Sequence, residues 1–406
     1  MAGLVITKKP KHSYIERFLP FYSILSLYLL GETSFFTLGF VGLLLIAVLD
    51  LYHAGWKIQL NQYLKPFLMF MFFLVIRDFL RIVFGYGEAL FQINIIISYV
   101  VYFCLFFIIT SQNFDENKLY KAWKVCTILV GLGTVYHLYV LVILHGSVMP
   151  ISIIPGVIFR ESYLLHGFNR PLSFFSEPGG ISASLMPMLF MALKRNDIKW
   201  ATISTLIILG STSTVGVLLS AILWCFFLVK LKVRFLKRFL YIFIGIIIVF
   251  LFIANDMFLT SYTKFQDVLA GGSTFNTRVA NGFEIVGTMD FLEYIVGANY
   301  ISIRDYVTDH FMSFSSNSPV IQYYILDRLF LNSISRIILY YGILGLCFYL
   351  YTFYKLYTIN NYEAKLYVII TLVSAFGQST FLNSSYFLTL IFLLLYTRKD
   401  TRFIIA

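Results

Sequence analysis

The sequence predicts an all-α fold: a polytopic integral membrane helix bundle of about 12 transmembrane helices with one long loop. Three observations carry that expectation. Of 406 residues, 59% are apolar and 13% charged, whereas a soluble domain is about 25% charged, so a water-facing surface of this size cannot be covered. The mean hydropathy is +0.81. The apolar residues also come in blocks of the length a bilayer requires, about 20 residues for a hydrocarbon core about 30 Å thick. A soluble globule, a disordered chain and a nucleic-acid-binding domain all fit this composition poorly, despite a formal charge of +11.

In chain order the blocks lie at residues 17–31, 34–51, 64–84, 90–110, 121–145, 171–193, 238–256, 333–354, 364–381 and 383–397. The stretch 199–230 is too long for one span. Gly210-Ser211-Thr212-Ser213-Thr214 interrupts it, so it reads as two short helices turning at a polar tip. Phe18 opens a long apolar run with no small-residue cleavage site behind it, so the N-terminus does not read as a cleavable signal. Residues 257–332 form the one long hydrophilic excursion, and loops of that size are usually functional. The chain thus divides into an N-terminal bundle (1–256), a large outer loop (257–332) and C-terminal helices (333–406). No internal repeat or inverted symmetry relates the halves, which weighs against a secondary transporter.

Basic residues orient the bundle, because they are retained on the cytoplasmic side. With both termini inside, 22 of the 31 lysines and arginines fall on the inner side and 9 on the outer side or outer helix ends. Sixteen of the inner set are lysine; eight of the outer set are arginine. Lysine is a hydrated point charge, whereas arginine presents a planar fork that binds phosphate or carboxylate through two bonds and tolerates partial burial. An arginine-dominated outer face suggests recognition of an anionic group there, or structural pairing with acids, such as Arg77 with Asp78.

Within the blocks, the segment from Arg170 to Gly180 carries the most chemistry. Pro171 suits a helix start, and Pro178-Gly179-Gly180 should open or kink the helix a turn or two later. Glu177 then sits just below the outer surface, near freed backbone donors and Arg170, as a charge partner or as a base. Ser211–Thr214 make a hydroxyl-rich break whose simpler role is backbone capping. His137, inside a span, and His145 and His166, near its outer end, read as packing or interfacial residues. His310, beside Asp309 in the long loop, is the histidine best placed for proton transfer. The four cysteines lie in apolar runs without metal-ligand spacing, so neither a disulfide framework nor a bound metal is expected.

Three features together resemble a known family. They are Arg170 through Phe175-Ser176-Glu177-Pro178 opening a middle span, the broken pair at Gly210–Thr214 ahead of a basic inner loop, and the long loop ending in Asn332-Ser333 and running into Tyr341-Gly342-Ile343-Leu344-Gly345. In this layout the chain resembles bacterial O-antigen or capsule repeat-unit polymerases of the Wzy type, related more distantly to the O-antigen ligases. The likeness in topology and spacing covers nearly the whole chain, while the residue motifs are short. It implies a GT-C-like or O-antigen-ligase-like fold in the bacterial inner membrane, multi-pass, with both termini cytoplasmic and the long loop periplasmic.

The resemblance also implies a glycosyltransferase that polymerises oligosaccharide repeat units linked to undecaprenyl diphosphate. An acceptor hydroxyl attacks the anomeric carbon of the donor chain, and the lipid diphosphate leaves. Arg170 and Arg278 are implied to bind diphosphate or glycan, with Arg304 and Arg328 as further candidates, and Glu177 or His310 to act as base. No cofactor and no metal are implied. The implied partners are the lipid-linked oligosaccharide, membrane lipids and a chain-length regulator (a polysaccharide co-polymerase), with no nucleic acid. Ligases of the superfamily carry a His-Asn-type motif where the long loop enters the next span; here that place reads Leu331-Asn332-Ser333, which favours polymerase over ligase. Transfer of glycan to lipid A core, or a non-enzymatic flippase or transporter, stand as the alternatives.

Overall fold

The computed structural model describes residues 14–28, 37–53, 55–56, 58–61, 64–84, 93, 95–97, 99–102, 104–105, 115–154, 169–230, 280–298, 306, 331–358, 362–378, 384–397 and 402–405. These are mostly helical. The helices are α1 (Ile15–Leu25), α2 (Leu38–His53), α3 (Leu64–Val83), α4 (Glu116–Val142), α5 (Pro178–Lys194), α6 (Ile198–Gly210), α7 (Thr214–Lys230), α8 (Asn281–Val286), α9 (Phe291–Val296), α10 (Ser333–Tyr357), α11 (Tyr362–Gly377) and α12 (Ser384–Thr397). A four-residue antiparallel ladder joins β1 (Ile58–Asn61) to β2 (Arg402–Ile405).

Helix starts follow side chains able to take the first orphan amides. Asp115 accepts from Asn117 and Lys118, Asp197 from Trp200, and Asn332 from Ser335. Asp290 and Glu293 close a reciprocal capping box on α9. The expected span from 171 is shorter in fact: α5 begins at Pro178, and Pro171 lies in a buried non-helical turn before it. Proline at the first helical position brings a preset φ and lacks an amide that would be orphaned anyway. The stretch 199–230 does form two helices, breaking at Ser211–Ser213. The expected span 238–256 lies outside the described residues.

Helix α5 is the centre. Its residues from Ile181 to Leu193 are buried apart from Ala183, as expected of a helix apolar all round. It packs against α1, α4, α6, α7 and α12. Phe190 sits among the rings of Phe227, Tyr367 and Phe392, at 5.9, 5.1 and 5.9 Å. Helix α4 is two-faced in a different sense: Trp123, Cys126, Val130 and His137 point inward, while Val125, Ile128, Leu132, Val135 and Tyr139 form an exposed stripe. Both faces are apolar. By length and composition, α4 and α10 are able to cross a membrane, and α2, α6, α7 and α11 carry shorter apolar stretches.

Contacts at the helix termini sort the described cations. At one end Lys124 meets Asp197 at 3.1 Å, and Arg195 and Lys194 meet Glu116 at 3.2 and 3.6 Å. At the other end the described cations are Arg77, Arg81, Arg170 and Arg336, all arginine.

Candidate functional site

The arginine end is built on a tight turn, residues 170–175, laid against α4. His137 of α4 accepts the backbone amides of Leu172 and Ser173 on Nδ1, each at 3.1 Å, which fixes its proton on the other nitrogen. Ser173, with φ +53°, donates its hydroxyl to the Val130 carbonyl at 3.0 Å. Gly133 leaves the room: a Cβ there would collide with the Ser173 hydroxyl. This anchored turn projects Arg170 towards the α6–α7 break, where its Nε donates to Thr212 Oγ1 at 2.7 Å and its Nη2 to the Thr212 carbonyl. The carbonyl end of α6 carries partial negative charge, so a guanidinium is favoured there.

The break itself is capped by its own hydroxyls. Ser211 donates to the Ile208 carbonyl at 2.6 Å, and Ser213 accepts from Gly216 at 3.3 Å at the start of α7. Capping is therefore what two of these residues do, while Thr212 serves as the seat for Arg170.

Glu177 stands exposed as the residue before α5, in extended backbone (φ −144°, ψ 155°), and makes no side-chain cap bond to its own helix. Gly179 lies between it and the end of α11: a Cβ on Gly179 would sit 3.5 Å from Glu177 Oε1 and 3.8 Å from Gln378 Nε2. The Gln378 carbonyl in turn receives both the amide and the hydroxyl of Ser333, at 3.0 and 2.7 Å. The starts of α5 and α10 and the end of α11 thus converge beside the Glu177 carboxylate. Beneath them lies a cavity of about 40 Å³ bordered by Ser182, Gly216, Thr371, Ser374, Gln378 and Tyr386. That is about the room for a single water. Ser182 Oγ is buried with no hydrogen-bond partner among the described residues.

No family model matches the chain, and no curated protein matches it significantly. The site therefore rests on its own geometry. Arg170 and Glu177 are the two nominated residues that the structure describes; Arg278, Arg304, Arg328 and His310 lie outside the described residues. Among those described, no group of three or more His, Cys, Asp or Glu is placed to hold a metal. The sequence missed His137, Thr212 and Gln378. A lone histidine in an apolar helix gave no sign that it receives two amides from a turn 35 residues away.

A second buried cluster at this end is structural. Asp78 is bonded to Arg81 at 2.8 Å, one helical turn along, and accepts the Tyr341 hydroxyl at 3.2 Å. Arg77, suggested as a partner of Asp78, interacts with that carboxylate electrostatically and also donates its Nε and Nη2 to the carbonyls of Val296 and Gly297, at 2.6 and 2.8 Å. Arg81 reaches the Ala298 carbonyl at 2.8 Å and that of Tyr340. The two arginines cap the C-terminus of α9 and pin it to α10, where positive charge meets the helix-end carbonyls.

Proposed function

We propose that the chain is a polytopic membrane glycosyltransferase that extends a polysaccharide from units carried on undecaprenyl diphosphate, with its site at the arginine end facing the periplasm. The single observation that carries this reading is the company of described cations at that end: arginine throughout, with Arg170 presented by an anchored turn. The exposed apolar stripe of α4 supports the bilayer as its surroundings. A band of that extent facing water would be an aggregation liability, whereas lipid tails accept it. Two helices of spanning length, with four shorter apolar ones, fit a bundle of about twelve spans in which some are short or broken.

The chemistry asks for few groups. As the glycosidic bond to the lipid diphosphate breaks, negative charge grows on the departing oxygen, and fixed cationic donors stabilise that charge more than they stabilise the intact donor. Arg170 presents a planar cationic fork at the α6–α7 break. It is assigned to the diphosphate, with Arg278 of the long loop as second partner. The acceptor hydroxyl must lose its proton, and Glu177 is assigned to receive it. No nucleotide sugar is needed because the donor is already activated.

The test is reconstitution. Purified protein in detergent or nanodiscs, supplied with a synthetic repeat unit on a lipid diphosphate, is expected to yield a ladder of products and free lipid diphosphate. Transfer only when lipid A core is added would make it a ligase instead. No glycan product under either condition would overturn the reading.

A further inference from the structure

An apolar groove of about 600 Å³ runs beside α1 and reaches the outer side of the anchored turn at Phe174. That volume is in the range of single-ligand pockets. Phe18, Phe21 and Leu25 of α1, Ile46 of α2, Leu129 of α4 and Phe174 of the anchored turn wall it, and Arg17 stands at one end. From Arg17 to Leu25 the helix rises roughly 12 Å at 1.5 Å per residue. A single leaflet of hydrocarbon is about 15 Å deep, so the groove matches one leaflet rather than a whole bilayer.

Two further observations place a headgroup at the Arg17 end. Exposed Tyr14, Tyr52 and Trp56 gather there, with Tyr14 tied to Asp50 at 3.0 Å and its ring 6.3 Å from that of His53. Tyrosine and tryptophan collect where hydrocarbon gives way to water. Arg17 is exposed, and its guanidinium has no hydrogen bond or ion pair to any described residue. The neighbouring acids are already engaged with backbone amides: Asp50 accepts from Tyr14 and Ile15, and Glu16 from Asp115 at 2.8 Å. Positive charge is therefore left over at the mouth of an apolar slot.

We infer that this groove holds one acyl chain of an anionic phospholipid whose phosphate lies against Arg17. The inference rests on the bilayer reading above and not on the glycan chemistry. A guanidinium takes a phosphodiester oxygen in a charge-assisted bond, and a headgroup without its own cation leaves that bond unopposed.

Delipidated full-length protein in detergent, titrated with phosphatidylglycerol or phosphatidylcholine and read by native mass spectrometry, tests it. The wild type is expected to retain one phosphatidylglycerol in preference to phosphatidylcholine. Arg17→Gln should weaken phosphatidylglycerol retention about tenfold, as one charge-assisted bond is lost, and leave phosphatidylcholine unchanged. Leu129→Trp, on a position 41% exposed, fills the slot without entering the core and should remove both. Melting temperatures equal to wild type confirm that both variants are folded. A detergent-dependent protein whose lipid occupancy is the same in both variants overturns this site alone. A chain that remains in solution without detergent overturns the bilayer reading and the site together. Loss of chain growth with lipid retention intact bears on the glycan chemistry only.

Discussion

Thr212 sits at φ +58°, a conformation that a β-branched residue occupies only when its surroundings hold it there, at about 1–3 kcal/mol. Arg170 is what holds it, through the hydroxyl and the carbonyl together. The arginine thus has a structural role beside the proposed catalytic one, and substitution separates them. Arg170→Ala is expected to abolish chain growth and lower the melting temperature by several degrees. Arg170→Lys keeps the charge without the fork and should restore growth only partly. Adding Thr212→Gly to Arg170→Ala removes the strain and should recover the melting temperature while growth stays absent; recovered growth would reduce Arg170 to a structural residue. The sequence marked Arg170 and the Gly210–Thr214 break separately. It could not show that they touch, because Arg170 and Thr212 are 42 positions apart and neither motif encodes the turn that His137 anchors.

Two joints between elements invite their own tests. At the lysine end, Asp197 caps α6 and accepts the Tyr120 hydroxyl at 2.8 Å and Lys124 at 3.1 Å, binding α4 to α6. Burial pushes its carboxyl up, but the bonds from Tyr120, Lys124 and the Trp200 amide outweigh it and hold the group below its ordinary range. A depressed carboxylate stabilises the fold fully above its unfolded pKa of about 3.9, and that contribution fades as pH falls through the lower folded value. Wild type should therefore melt above Asp197→Asn by a constant margin from about pH 5 upward, with the margin closing below about pH 4. A margin that stays level on acidification would remove the assignment. At the arginine end, α10 breaks at Gly342 (φ +66°), and a Cβ there would strike the Ile295 carbonyl. Gly342→Ala should cost at least about 1–3 kcal/mol, read as a lower melting temperature and faster proteolysis between residues 287 and 298. Where the structure describes them, the helices were legible as long apolar blocks. The break in α10 was not, since a glycine inside an apolar block reads the same whether the helix bends there or runs on.

Over the whole molecule, the separation of lysine from arginine was readable from residue counts once the blocks were drawn, and the described cations follow it. What counts alone leave open is which end faces which compartment. Labelling settles this: with Cys104, Cys126, Cys225 and Cys347 replaced by alanine, a single cysteine is placed at the exposed positions Ser152 or Lys121. An impermeant maleimide applied to spheroplasts should modify Ser152→Cys and spare Lys121→Cys; the opposite pattern would invert the orientation and put the arginine end in the wrong compartment for lipid-linked sugars. The meeting of α9 with α10 carries a last consequence. A Cβ on Gly297 would strike the Tyr340 carbonyl just as one on Gly342 strikes that of Ile295, so each backbone lies where the other helix has no room for a side chain. Both glycines also hold a positive φ, +91° and +66°. Natural selection is thus expected to hold both codons in every lineage that keeps this joint.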